Sequence, residues 1–244
     1  MYNYEKNYNP NMEAAVDTTA LNRHIAKVFG WTFAGLLTTA ATVLFFIMGL
    51  AFAPDVFVPF VSQALNFMLF VAIGQIVLVF SFSRKIEVLK PSTAKVLYLL
   101  YAVSMGLLFT WVALAYDLHT IGVAFLLTSV SFGLMAIYGI VTKQDLTNWG
   151  NILKFALIGL IIAMVLNIFL ANTMLDTLIT IFGMFLFLGL TVYHANSIKH
   201  FYAYSVNEHG EEGTLTQNLA VFSALTLYMS FINLFLFILR FMRD

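Results

Sequence analysis

The chain contains no cysteine, which excludes a disulfide frame, thiolate chemistry and any metal or iron–sulfur site built on sulfur. Charge is scarce: 10% of the 244 residues are Asp, Glu, Lys or Arg, where soluble domains carry about 25%. Twelve acids balance twelve bases, so the net charge of zero gives no basic footprint for nucleic acid. Enzyme signatures are missing too. There is no HExxH, no GxSxG and no glycine loop that would cradle a phosphate. What the chain has in excess is apolar residues, 61% of the total. That composition belongs to polytopic membrane proteins.

Seven apolar runs can be drawn, over residues 28–53, 62–82, 96–116, 120–141, 152–171, 177–198 and 219–239. Each is long enough to cross a bilayer, since about 20 residues at 1.5 Å per residue cover roughly 30 Å. The expected fold is an all-α membrane protein with seven transmembrane helices. It forms one domain over residues 18–244 behind a polar, Asn- and Tyr-rich tail at 1–17. Thr18 or Thr19 is the expected cap of a lead-in helix, with Leu21, Ile25 and Val28 on one face and Arg23 and Lys27 on the other. Ala51-Phe52-Ala53 imitates a signal-peptide cleavage site, but the preceding run is too long and Pro54 follows, so the segment is taken as an uncleaved span. Short connections are expected at 54–61, 83–95, 117–119, 142–151 and 172–176. A longer one, 199–218, carries Glu208, Glu211 and Glu212.

Lys and Arg alternate between connections. The tail side has Lys6, Arg23 and Lys27, the second connection Arg84, Lys85, Lys90 and Lys95, the fourth region Lys143 and Lys154, and the sixth Lys199. The first, third and fifth hold only Asp55, Asp117 and Asp176. The N-terminus is therefore expected in the cytoplasm and, after seven spans, the C-terminus outside. Arg240 and Arg243 violate that pattern, so either they snorkel to the outer headgroups or the last helix does not fully cross.

The last run carries Ser223, Thr226, Ser230 and Asn233 at steps of three and four, one face of a helix. In hydrocarbon such a stripe turns toward protein or water, which marks this helix as the inside member of a bundle. Thr32, Gly35, Thr39, Thr42 and Gly49 line one side of the first run, and Thr128, Ser131, Tyr138 and Thr142 one side of the fourth. These suit close helix packing. All twelve acids lie in tails and connections, none inside a run. A Ca²⁺ pathway wants hard oxygen ligands, and membrane proton relays run on Asp, Glu or His. His194 is the only histidine within a run, and six residues separate it from His200, so no metal site is expected.

The motifs Tyr138-Gly139, Thr142-Lys143-Gln144-Asp145-Leu146 and Trp149-Gly150, continuing through Leu157-Ile158-Gly159-Leu160 to Asn167 and Phe169, resemble the bacterial branch of the Bax inhibitor-1 family. So do Gly189-Leu190-Thr191-Val192-Tyr193, Ala224-Leu225-Thr226-Leu227-Tyr228 and Phe231-Ile232-Asn233-Leu234-Phe235-Leu236. The resemblance runs from about Arg23 to the C-terminus. It implies seven helices with the last central to two three-helix layers, and a pH-sensitive Ca²⁺ leak in which an Asp on each of the last two helices form a proton-sharing latch. Those two positions are His194 and Ser230 here. A Glu of the second helix corresponds to Gln75, and Arg84 matches the basic residue that follows that helix.

The chain thus keeps the frame and departs from it where the family chemistry sits. Two close carboxylates share a proton because both cannot be charged at once. A His–Ser pair cannot do this. Any pH response is then expected to run through His194 gaining charge beside Ser230, Thr191, Thr226 and Asn233, and an imidazolium there would oppose cation flow. The plain alternative is a core histidine with its hydrogen bond satisfied. The leading function is an ion leak of the bacterial cytoplasmic membrane, with Ca²⁺ conduction weakened or lost and Ca²⁺ as cargo rather than cofactor. The competing one is a non-transporting regulator that docks to other membrane proteins, a quality-control protease among them. No enzymatic activity, cofactor or nucleic-acid partner is expected; the lipid bilayer is.

Overall fold

Asp17, not Thr18 or Thr19, opens the first helix: it is the N-cap, and its Oδ1 accepts the Thr19 backbone N–H at 2.9 Å. A carboxylate two residues before the free N–H reaches it without distorting the first turn, which leaves both threonines inside the helix. The computed structural model describes residues 17–142, 144 and 146–243, with the side chains of 64–66, 69, 147, 148 and 208 left aside. The tail at 1–16, Lys143 and Asp145 lie outside the described residues.

Among the described residues there are seven helices and no strand: α1 Thr18–Phe52, α2 Pro54–Lys85, α3 Pro91–Ala115, α4 Leu118–Val141, α5 Thr147–Leu170, α6 Thr173–His209 and α7 Thr214–Phe241. The helices outrun the apolar stretches. The expected first connection is helical from Pro54, because proline at the first helical position has no N–H to lose and a φ already suited to the helix. The expected long connection at 199–218 shrinks to four residues, 210–213, because α6 continues to His209. Hydropathy marks where lipid ends; backbone hydrogen bonding continues into the headgroups and beyond.

Six of these helices, α1 and α3 to α7, are long and apolar enough to cross a membrane. Length and composition of the described residues therefore support six spans, against the seven expected. In the best apolar window of α7 72% is buried, while no other candidate exceeds 39%. The polar stripe of α7 accounts for this in part, with Ser223 and Ser230 both about 1% exposed.

The helices pack as two compact units, and α6 and α7 contribute to both. The first holds the chain up to Asp117 together with Phe201–Leu225. There α1 crosses α3 at Gly106, where a Cβ would run into Thr42 and the Thr39 carbonyl. Thr39 Oγ1 donates to the Ala102 carbonyl at 3.0 Å, and Tyr98 Oη to the Trp31 carbonyl at 2.8 Å. Asn218 Nδ2, in the first turns of α7, donates to the carbonyls of Ile86 and Leu89 at 2.7 and 2.8 Å. These lie just beyond α2, so a side chain 129 residues downstream satisfies groups that the end of the helix leaves open.

The second unit holds Leu118–His200 and the chain from Thr226 onward. Its α4 and α6 touch at Gly139, where a Cβ would meet the Val192 carbonyl and the Ala195 side chain. Gly150 of α5 leaves room for the Tyr193 hydroxyl, and Gly183 of α6 for the Phe237 ring. Phe231 of α7 sits edge-on to Phe125 and Phe132 of α4, at 5.6 and 5.3 Å between centroids. On α4 the buried face is Ala124, Thr128, Phe132, Ala136 and Gly139. Tyr138, expected on the polar inner side, is 52% exposed instead.

Candidate functional site

The second unit brings the two family-matched positions together. His194 of α6 and Ser230 of α7 face each other, with Nδ1 and Oγ 2.9 Å apart. Ser230 is fixed by its own helix, donating to the Thr226 carbonyl one turn back at 3.0 Å. A hydroxyl has one proton, and with that proton on Thr226 the oxygen is left to accept. Counting protons therefore assigns the neutral ring as Nδ1–H donating to Ser230, with the lone pair on Nε2.

The surrounding polar residues are occupied locally. Thr191 is fully buried and donates to the Phe187 carbonyl at 2.7 Å. Asn233 Nδ2 donates to the Met229 carbonyl at 2.8 Å. Both bonds are to the residue four earlier, the usual way for a short polar side chain in a membrane helix to satisfy itself. Thr226, part-buried, supplies the carbonyl that orients Ser230. Gln75 belongs to the first unit, where its Nε2 donates to Ser104 Oγ on α3 at 3.1 Å. Arg84, in the last turn of α2, is exposed.

Chemically, His194 and Ser230 form a neutral hydrogen-bonded pair with one titratable member. Asp176 is the only carboxylate among the described residues of the second unit, and it lies 18 positions before His194 on α6, about 27 Å along the helix. Among the described residues no two carboxylates are placed there to share a proton. Nor do the described residues gather three His, Asp or Glu side chains that could hold a metal ion.

Two networks in this unit were not anticipated. Beyond the end of α4, Lys199 Nζ donates to the Thr142 carbonyl at 2.9 Å, while Asn196 Nδ2 donates to the Gly139 carbonyl at 3.1 Å. His200 Nε2 meets Asn196 Oδ1 at 3.1 Å. The second network concerns Arg240, expected to snorkel or to mark an incomplete crossing. It forms an ion pair with Asp176: Nε donates to Oδ2 at 3.1 Å, and Nη2 donates to Oδ1. Asn167 Nδ2 donates to the same Oδ1 at 3.0 Å. An arginine misplaced by the charge pattern was itself a signal to look for a counter-ion, and Asp176 is the acid that the described residues of this unit offer.

Comparison with known proteins places the chain in a family over nearly its whole length. The family model described as "Inhibitor of apoptosis-promoting Bax1" matches residues 21–244. The inner membrane protein YbhL of Escherichia coli (strain K12) is 34% identical over 237 residues, covering 95% of this chain and 96% of the relative. An uncharacterised protein of Deinococcus radiodurans is 32% identical over 216 residues, 88% of each chain. One from Rickettsia prowazekii is 30% identical over 243 residues, 99% of this chain and 98% of its own length. With a family match over nearly the whole length and helices apolar enough to cross a bilayer, the chain is an integral membrane protein and belongs to the Bax inhibitor-1 family.

Proposed function

We propose that this protein is an ion-leak protein of the bacterial inner membrane in which the acidic latch of the family is replaced by His194 and Ser230, so that Ca²⁺ conduction is weakened or lost. YbhL is named as an inner membrane protein, which supports the location. Seven spans are proposed, α2 being the seventh, with the N-terminus cytoplasmic, the C-terminus outside and α7 central; the alternating Lys and Arg and the burial of α7 support this. The observation that carries the functional reading is the 2.9 Å contact between His194 and Ser230. It puts a neutral pair where two carboxylates would offer a cation hard oxygen ligands. The protein is proposed to act without catalysis and without a bound cofactor.

The test is dye-reported Ca²⁺ flux in liposomes across a pH series, comparing the native protein with His194→Asp, Ser230→Asp and the double substitution. The double substitution should conduct about tenfold faster than the native chain, with a pH profile set by a shared carboxylate proton in place of the His194 imidazole. Equal rates for native and double variants would refute the silenced latch. If the native protein does show a pH response, His194→Ala should remove it. Docking to another membrane protein, such as a quality-control protease, is the competing reading. It predicts no flux in any variant and loss of a co-purified partner when residues 1–17 are deleted.

A further inference from the structure

The proposed topology leaves two basic residues on the wrong side, Arg240 and Arg243, of which Arg240 lies within the last helix. Every connection assigned to the outer side carries an acid and no base, yet Arg240 closes α7 at that side. Arginine at a translocated end opposes insertion, and charge added at the C-terminus is enough to flip a membrane topology.

The second unit holds a receptor for that charge. Asp176 sits in the first turn of α6 and Arg240 in the last turn of α7, each at the helix end whose dipole favours it. The pair is two-pronged, Nε meeting Oδ2 and Nη2 meeting Oδ1, and the side chains of Arg240 and Asp176 are 31% and 25% exposed. This is a geometry in which arginine outperforms a point charge. The corner behind it is built to hold still. Asn167 Nδ2 donates to Asp176, and Asn167 Oδ1 accepts the Asn172 N–H at 3.1 Å. Asn172 Oδ1 in turn accepts the Leu175 N–H at 2.9 Å.

The same two helices meet again along their length. Phe187 stacks on Phe237 with centroids 5.7 Å apart, and His194 meets Ser230 beyond it. From Phe187–Phe237 to His194–Ser230 each helix moves seven residues in opposite directions, the signature of antiparallel neighbours, and the ion pair lies beyond them, eleven residues back on α6 and three further on α7. The ion pair is the outermost rung.

We propose that Asp176 is the counter-ion that allows α7 to carry Arg240 across the membrane, the α5–α6 corner acting as the landing site for the end of the last helix. The proposal rests on the seven-span reading. The chain has no cysteine, so a single cysteine appended after residue 244 is a clean reporter. It is labelled in intact cells whose inner membrane is sealed, using a maleimide that cannot cross that membrane, and again after permeabilisation.

External labelling of the parent chain is expected. Asp176→Asn should lower the externally labelled fraction several-fold, because the arginine loses its partner. Asp176→Glu should retain it. Arg240→Gln should label externally like the parent, since the helix-borne arginine that Asp176 neutralises is gone, and Asp176→Asn combined with Arg240→Gln should regain what Asp176→Asn loses. A merely structural pair would make both single variants equally harmful and the double no better. Unchanged labelling in Asp176→Asn, or no recovery in the double variant, overturns the proposal alone. If Asp176→Asn does not accumulate, external labelling of the double variant supports the proposal and its absence overturns it. A parent chain labelled only after permeabilisation overturns the seven-span reading, and this proposal with it.

Discussion

A glycine in a membrane helix has no single meaning, and three glycines of the second unit separate the cases. At Gly139 a side chain would strike backbone, the Val192 carbonyl, and two packed helices would have to part. At Gly150 it would strike the hydroxyl end of the Tyr193 ring, a side chain rather than backbone. Around Gly159 nothing lies within 4 Å. Alanine substitutions should therefore rank by thermal unfolding in detergent. Gly139→Ala should cost about 1–3 kcal/mol through overpacking and Gly150→Ala less. Gly159→Ala should be neutral, or stabilising by up to about 1 kcal/mol through helix propensity. Equal effects at 139 and 159 would show that the close approach of α4 and α6 does not limit stability. The motifs containing Gly139, Gly150 and Gly159 were legible in the sequence as a family resemblance, but which of them is tight was not. That depends on what faces each glycine, a long-range fact. The meeting of His194 with Ser230 followed from motif matching, whereas the proton count that assigns the ring tautomer needed the Thr226 carbonyl in place.

At the scale of the helix, hydropathy located all seven elements and most of their C-terminal ends to within two residues, but set most of their starts four or more residues late. The continuation of α6 to His209 runs through Lys199, His200 and Asn207, residues that polarity alone hands to a loop but that can extend a helix in water or headgroups. Two ends show how the backbone turns. Ala171 closes α5 in the left-handed region at φ 47°, where the Cβ crowds the following carbonyl, and Gly210 follows α6 at φ 75°, where no Cβ is present. Ala171→Gly should raise stability by about 1 kcal/mol and Gly210→Ala should lower it by about as much, both read as shifts in unfolding midpoint. A loss of stability in Ala171→Gly would mean that the corner at Asn167 and Asn172 depends on the methyl group. No local pattern announced Asp176 as the partner of Arg240 either, since they sit 64 residues apart and only the paired helices bring them together.

Across the whole molecule, the most distant contacts decide what a local change costs. Asn218→Ala would strip the Ile86 and Leu89 carbonyls of their donor in a buried position. The expected loss is about 1–3 kcal/mol for each unmet acceptor, measurable as a lowered unfolding midpoint. Asn218→Gln, which keeps the donor but lengthens the arm, should recover part of it; no loss in Asn218→Ala would show that water replaces the amide. The Asn218 amide also has a meaning in time. The N-terminal unit is not composed of N-terminal sequence alone, because it includes Phe201–Leu225, and Phe222 stacks on Phe82 at 6.0 Å just where Asn218 closes the end of α2. A ribosome delivers those residues long after α1 to α3. While they are awaited, α1 to α3 have been made with open carbonyls and an unfilled seam, and α4 and α5 are made before the seam is filled. The growing chain is therefore most exposed to misassembly and proteolysis late in translation, until the last helix closes the first unit.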